Sequence, residues 1–337
     1  MTPYKGCATA EGTARLIRRA GWPAWASRLV ACLSLTNVGF GTYSGAEDSE
    51  ADRRQIKALT GYLARGGNVI DTAPNYRNGR SEKCLGRALG RAFDQGLVSR
   101  DEVFIGTKAG LLAENSPLAK KFRTGPDNSC YEPDCLRESL LESLARLNLE
   151  RVDCLFAHNL ELLRLDDPSR FPDRYRAMAE AMDGLAAGGL IRAWGISSWF
   201  GFRVPENHPG FLGLADLLDV QGRGPVFLQL PLGIWGSEAL TGVWQGGRGI
   251  LRAAREAGLN VFVTSSLLQG ELAAVLKRET EAVENAIKFA RDAEGVDVLL
   301  LGLKSPAHIQ SWAKIQSQPP SDLSPWLEQL EAEYFDY

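Results

Sequence analysis

Gly67-Asn68-Val69-Ile70-Asp71-Thr72-Ala73-Pro74-Asn75-Tyr76-Arg77-Asn78-Gly79-Arg80-Ser81-Glu82-Lys83-Cys84-Leu85-Gly86-Arg87-Ala88-Leu89-Gly90 is the stretch on which the reading of this chain turns. A short apolar run, Val69-Ile70, ends in a carboxylate, crosses a loop containing Pro74 and Gly79, and restarts as a helix for which Ser81 is the expected N-cap. That is strand, loop, helix. In a parallel barrel such loops lie at the carboxyl ends of the strands, so Asp71 and Tyr76 face the mouth where ligands bind. A buried Asp requires a partner. Two other strand-like runs end in groups able to supply one: Val103-Phe104-Ile105-Gly106-Thr107-Lys108 and Val152-Asp153-Cys154-Leu155-Phe156-Ala157-His158.

Outward from this segment the pattern repeats. Strands are expected at 35–43, 69–72, 103–108, 152–158, 193–197, 226–230, 260–264 and 296–302, and helices at 49–65, 81–93, 133–147, 173–187, 211–219, 249–257, 280–292 and 306–315. Each strand is followed by a helix, the pattern of an α/β chain closed into a single-domain (β/α)8 TIM barrel. An open doubly wound sheet is the competing architecture, but no Gly-x-Gly-x-x-Gly follows the first strand to mark a dinucleotide-binding turn. Residues 1–34 read as an extension packed on the barrel, with a helix at 11–27 covering one end. Arg15, Arg18 and Arg19 lie on its polar side, with Trp22 and Trp25 available for packing. The barrel occupies 35–320, and 321–337 reads as a C-terminal helical tail. The long irregular pieces, 110–132, 159–172 and 199–209, all follow strands and so surround the mouth.

The 337 residues, 45% hydrophobic, suffice for one large core, and a formal net charge of −3 provides no broad basic surface for nucleic acid or anionic membrane. No apolar run approaches the ~20 residues needed to cross a bilayer. Arg18-Arg19 begins like a twin-arginine signal, but Pro23 and Arg28 interrupt the apolar segment at once, so a cytoplasmic protein is expected. The six Cys are scattered and there are only three His, which leaves no zinc-like spacing and points to reduced thiols and no metal.

Asp71, Tyr76, Lys108 and His158, in this order and these local contexts, resemble the catalytic tetrad of the aldo-keto reductase family, and the resemblance runs from about residue 35 to about residue 315. A carbonyl under reduction gains a hydride at carbon and a proton at oxygen. Tyr76 is the expected proton donor. Its pKa, near 10 when unperturbed, calls for a nearby cation to stabilise the phenolate, which is the role of Lys108. Asp71 holds the ammonium charged, and a neutral His158 orients the substrate oxygen.

The resemblance implies a nicotinamide dinucleotide, NADPH (NADP+) foremost and NADH as the other form, as the hydride source. It places Ser197, Ser198 and Gln229 on the carboxamide, and Ser265, Leu267, Gln269 and Glu271 near the diphosphate. Gly302, Lys304, Ser305 and His308, at the last strand and the start of a helix, are placed near the adenosine 2′-phosphate. Gly41, Thr42, Tyr43 and Asp71 complete the expected cofactor contacts. The substrate is expected among Tyr43, Tyr76, His158, Trp199 and Trp235, with Phe200, Phe202 and Trp244 as further aromatic lining. The chain departs from the family pattern at Thr264, where an aromatic often stacks on the nicotinamide, at Ser198-Trp199, and at Ser311-Trp312 near the adenine. Stacking of the Trp312 indole on the adenine is the expected replacement.

The leading expectation is an NADPH-dependent oxidoreductase acting on an aldehyde or ketone, or on the alcohol in reverse. Two alternatives keep the same residues: a cofactor-binding regulatory barrel with vestigial turnover, and a non-redox lyase or isomerase using Tyr76 as base.

Overall fold

The computed structural model describes residues 2–234, 236–272 and 280–323. Eight parallel strands form the barrel: β3 (Val38–Gly41), β4 (Val69–Asp71), β5 (Phe104–Ala109), β6 (Val152–Ala157), β7 (Ile191–Ser197), β8 (Phe227–Pro231), β9 (Asn260–Thr264) and β10 (Val298–Leu301). They close in the order β10-β3-β4-β5-β6-β7-β8-β9.

The side-chain period of two explains why this barrel carries a polar mouth over an apolar floor. Val69, Phe104, Phe156, Phe227, Phe262 and Leu300 pack together inside the barrel. Two residues further along the same faces of β4, β8 and β9 stand Asp71, Gln229 and Thr264, and two beyond Phe156 stands His158. Lys108 follows Phe104 by four. One alternation therefore both fills the interior and lifts the polar groups to one level. The four phenylalanines contact one another with centroids 5.5 to 6.3 Å apart, and burial of each contributes on the order of 1.5–3 kcal/mol. Gly195 is required for this packing, since a Cβ there would lie 2.6 Å from the Phe227 carbonyl oxygen and 2.9 Å from the Phe156 ring.

The bottom of the barrel differs from expectation. It is closed by an antiparallel hairpin, β1 (Ser27–Val30) and β2 (Leu33–Thr36), which sends Val30, Leu33 and Leu35 into the interior cluster. The expected first strand at 35–43 is thus two elements, and the hairpin crosses the boundary drawn at residue 34. The turn, Ala31 (φ 47°) and Cys32 (φ 67°), is left-handed at both positions without Gly or Asn. It is held from outside: Ala31 N donates to Asn260 Oδ1 at 3.1 Å, and Arg192 Nη2 donates to the Ala31 carbonyl at 3.0 Å.

The N-terminal helix is shorter than expected, Ala10–Ala20, capped by the Thr9 hydroxyl and ended by Gly21 at φ 69°. Its Arg15 and Arg19 do not form a free polar face but bond Glu102, Arg15 Nε at 3.0 Å and Arg19 Nη1 at 2.8 Å. The helices at Ser49–Ala64, Arg80–Asp94, Pro133–Leu147 and Pro306–Ser317 lie close to their expected positions. The helix expected at 211–219 is one short turn, Leu214–Leu218. The helical tail, from 324 on, lies outside the described residues, as does Trp235. Among the described residues no helix is long and apolar enough to cross a membrane, and no cluster of His, Cys, Asp and Glu could hold a metal ion.

Candidate active site

Lys108 Nζ donates to Asp71 Oδ1 at 2.7 Å, to Asp71 Oδ2 at 2.6 Å and to the Thr72 carbonyl at 3.0 Å, with both charged groups buried. Burial pulls the Lys108 pKa down, but the charge of Asp71 and the neighbouring Tyr76 outweigh it, and the ammonium is held above its ordinary value. Gln229 Nε2 donates to Asp71 Oδ1 at 2.9 Å, and Ser197 Oγ donates to Gln229 Oε1 at 3.2 Å. Both carboxylate oxygens thus accept hydrogen bonds, Oδ1 two and Oδ2 one.

Tyr76 sits over this pair, with Lys108 Nζ 4.8 Å from its ring centroid. Its placement comes from the following residues. Arg77 and Asn78 both adopt φ 51°, and the turn ends at Gly79 with φ 79°. Arg77 is buried and donates to Asp52 Oδ1 at 2.6 Å, Gln55 Oε1 at 2.9 Å and the Ala46 carbonyl at 2.9 Å from Nε, which fixes the unusual backbone beside the tyrosine. Gly79, not Ser81, is the helix N-cap. Ser81 lies inside the first turn, and its hydroxyl donates to the Thr42 carbonyl at 2.8 Å. Glu82, fully buried, accepts from Thr107 at 2.7 Å and from Arg146 at 2.6 Å, tying this helix to β5 beside Lys108.

Burial raises the Tyr76 phenol more than the charge of Lys108 lowers it, and Asp71 adds to the rise. The expected net lowering by Lys108 is therefore corrected: the free protein holds Tyr76 protonated, above its ordinary value. His158 is buried edge-on to Tyr76, centroids 5.8 Å apart. Burial, reinforced by Lys108, pushes its pKa well below the ordinary value, so the imidazole is neutral. Its Nδ1 is buried without a partner. An unpaired lone pair is less costly than an unpaired N–H, so the proton belongs on Nε2. Tyr131 anchors the backbone behind the ring, its hydroxyl donating to the carbonyls of His158 and Asn159 at 2.5 and 2.7 Å.

Of the expected carboxamide contacts, Ser197, Ser198 and Gln229 are all buried near the ends of β7 and β8. Ser198 Oγ accepts from Gly201 N at 2.9 Å. Glu161, which the sequence reading missed, lies beside them. It is 1% exposed, and its Oε1 accepts from Trp199 N at 2.7 Å and Phe200 N at 3.1 Å. Burial raises its carboxyl above the ordinary range despite these bonds and the Ser198 hydroxyl. Thr42, expected to contact the cofactor, is committed elsewhere: it is fully buried, its hydroxyl donates to Thr72 Oγ1 at 2.8 Å, its N–H to the Asp71 carbonyl at 3.1 Å, and its carbonyl accepts from Gln55 and Ser81. Gly41 ends β3. Tyr43 is half exposed and stands edge-on to Tyr76 at 5.1 Å; Trp199 is exposed at the rim.

The adenosine side is more open. Lys304 is exposed, and Ser305 caps the Pro306–Ser317 helix, accepting from His308 N at 3.3 Å. Burial lowers the His308 pKa. Gly302, Gln269 and Glu271 are exposed, and Ser265 is half-buried at φ 59°. Leu267 packs its side chain on the barrel core, and its carbonyl accepts from Gly270 N at 2.8 Å and Leu272 N at 3.2 Å. Trp312 requires correction: it is fully buried, its Nε1 donates to the Val38 carbonyl at 3.1 Å, and Trp22 and Tyr62 lie against its ring, so it has no free face for an adenine. Phe202 is likewise in the core and lines no pocket.

A parallel (β/α)8 barrel whose mouth joins an Asp–Lys pair, a tyrosine and a neutral histidine defines the class of the aldo-keto reductases. The chain belongs to the Aldo/keto reductase family, whose model matches residues 37–207. It is 37% identical over 141 residues to a D-threo-aldose 1-dehydrogenase of a Pseudomonas species, covering 38% of this chain and 39% of the relative. It is 30% identical over 134 residues to an NADH-specific methylglyoxal reductase of Escherichia coli, covering 37% of this chain and 39% of the relative. The chain thus spans about 39% of the length of these relatives. An aldo-keto reductase from Klebsiella pneumoniae solved in complex with NADPH superposes with TM-score 0.64 at 21% identity, over 93% of this chain and 96% of that one, a likeness of fold.

Proposed function

We propose that the chain is an NADPH-dependent oxidoreductase interconverting a small carbonyl compound and its alcohol, with Tyr76 as general acid in reduction and general base in oxidation. One observation carries this reading: Lys108, buried and bonded to both Asp71 oxygens at 2.7 and 2.6 Å, lies 4.8 Å from the Tyr76 ring centroid, next to a neutral His158. Structural ion pairs do not require a tyrosine and an unpartnered imidazole around them.

The donor set suits a nicotinamide carboxamide, since Ser197 and Ser198 retain free oxygen lone pairs and Gln229 a second N–H. The exposed Lys304 and the capped helix start at Ser305 suit a 2′-phosphate. When bound, the dinucleotide supplies or accepts the hydride. His158 Nε2–H donates to the substrate oxygen and fixes its position. Tyr76 gives that oxygen its proton, and Lys108 stabilises the resulting phenolate while Asp71 keeps the ammonium charged. In oxidation the same phenolate takes the alcohol proton. NADH is the second cofactor form, supported by the name of the Escherichia coli relative.

The names of the two relatives support a sugar aldehyde, its cyclic form or a small dicarbonyl as substrate. Tyr43 and Trp199, 50% and 42% exposed at the rim, can lie against the C–H face of such a molecule. The test is to incubate the purified protein with NADPH and a panel of aldoses and dicarbonyls, following cofactor absorbance and product. Stoichiometric cofactor oxidation and alcohol formation are expected. Cofactor binding without consumption, or substrate conversion without cofactor oxidation, would overturn the assignment.

A further inference from the structure

Resting on that reading of the site, we propose that Glu161 is a positioning residue, holding the Ser198–Phe200 turn, and with it the Ser198 hydroxyl, in place for the nicotinamide carboxamide.

The segment carrying His158 and the segment carrying Ser197 and Ser198 run side by side after β6 and β7. Leu160 N donates to the Ser197 carbonyl at 3.0 Å, and one residue on, Glu161 Oε1 takes the N–H groups of both Trp199 and Phe200, at 2.7 and 3.1 Å. Three hydrogen bonds thus lock the histidine's segment to the serines' segment. The carboxylate forms no ion pair among the described residues, and its Oε2 is buried without a partner. A charge that expensive to bury is retained only where its acceptors are needed.

The Ser198 hydroxyl completes the argument. Its oxygen accepts from Gly201 N at 2.9 Å, so the turn that Glu161 holds also fixes the Ser198 side chain. Ser197 is set as an acceptor, because its one proton goes to Gln229 Oε1. Gln229 Nε2, held at Asp71, retains one N–H for the carboxamide oxygen. Asp71, through Gln229, therefore sets which way round the amide binds, and Glu161 holds the turn that carries Ser198.

The test compares wild type with Glu161→Ala, Glu161→Gln, Ser198→Ala and the double variant of Glu161→Ala with Ser198→Ala. The dissociation constants for NADPH and for 2′,5′-ADP, which lacks the nicotinamide, are measured by calorimetry, with thermal melting as the check on folding. Ala removes the acceptor of both backbone N–H groups and releases the turn, whereas Gln keeps an oxygen for them. Glu161→Ala should weaken NADPH by about three- to tenfold and leave 2′,5′-ADP within about twofold, and Glu161→Gln should restore most of the loss. In the Ser198→Ala background Glu161→Ala should do little more, because Glu161 acts through the position of Ser198. Equal weakening of both ligands, no weakening of either, or full additivity with Ser198→Ala would overturn the proposal. If wild type binds 2′,5′-ADP and NADPH equally, or neither, the nicotinamide reading of the site itself falls.

Discussion

The two sides of the barrel mouth are assembled to different degrees. At the ends of β4, β5 and β6, Asp71, Lys108 and His158 are at most 5% exposed, and both Asp71 oxygens accept hydrogen bonds, from Lys108 and Gln229. At the ends of β9 and β10, Lys304 is exposed and has no ion pair among the described residues, and Gln269 and Glu271, which follow β9, are also exposed. The difference follows from what each side must bury. A charge out of water needs its partner before any ligand arrives, because desolvation otherwise neutralises it. A phosphate brings its own charge to a solvated cation, so that side can wait. Single substitutions should therefore act through stability and turnover on the first side, and through affinity on the second.

The sharpest way to break the comparison is Lys108→Met. Leaving Asp71 buried and unpaired should cost about 3–5 kcal/mol of folding stability, read by urea unfolding, and Asp71→Asn added to it should restore part of the loss. A stability change under 1 kcal/mol would mean the pair is not desolvated as described. Tyr76→Phe comes next. It removes the proton and little else, so turnover should fall about 10²-fold or more with NADPH affinity nearly intact; unchanged turnover would take Tyr76 out of the mechanism. On the open side, Lys304→Ala should weaken NADPH by about tenfold and NADH by no more than about twofold, with no change in melting temperature. Equal effects on the two cofactors would sink the 2′-phosphate assignment.

The smallest effect is a pH slope. The folded His158 has its pKa well below that of the unfolded chain, where histidine titrates near 6.5. Unfolding therefore takes up a proton in that window. The stability His158 contributes is fully present above about pH 6.5 and is lost as pH falls toward the folded pKa, by up to about 1.4 kcal/mol per pH unit. His158→Asn should flatten the slope of unfolding free energy between about pH 6.5 and 5, and an unchanged slope would mean the imidazole is not desolvated.

Much of this was legible in the chain. The strands ending at Asp71, Lys108 and His158 read correctly because alternation and strand length are local properties, and the same alternation brought their side chains to one level. The hairpin did not. Its turn residues, Ala31 and Cys32, carry none of the Gly or Asn signal that two left-handed positions usually demand, and what holds them is Asn260 and Arg192, more than 150 residues away along the chain. Arg77 is a similar case: nothing beside Tyr76 announces that its guanidinium will be buried against Asp52 and Gln55.

By itself the sequence determined the barrel and the order of its strands, because strand and helix patterns depend on neighbours within a few positions. The tertiary structure decided the rest. It turned Trp312 inward against Trp22 and Tyr62, where the sequence suggested a free indole, and it set Glu161 under the Trp199 and Phe200 amides. It also made burial, not Lys108, the larger influence on the Tyr76 proton. These outcomes depend on which groups lose water together, and that is settled by contacts between segments far apart in the chain.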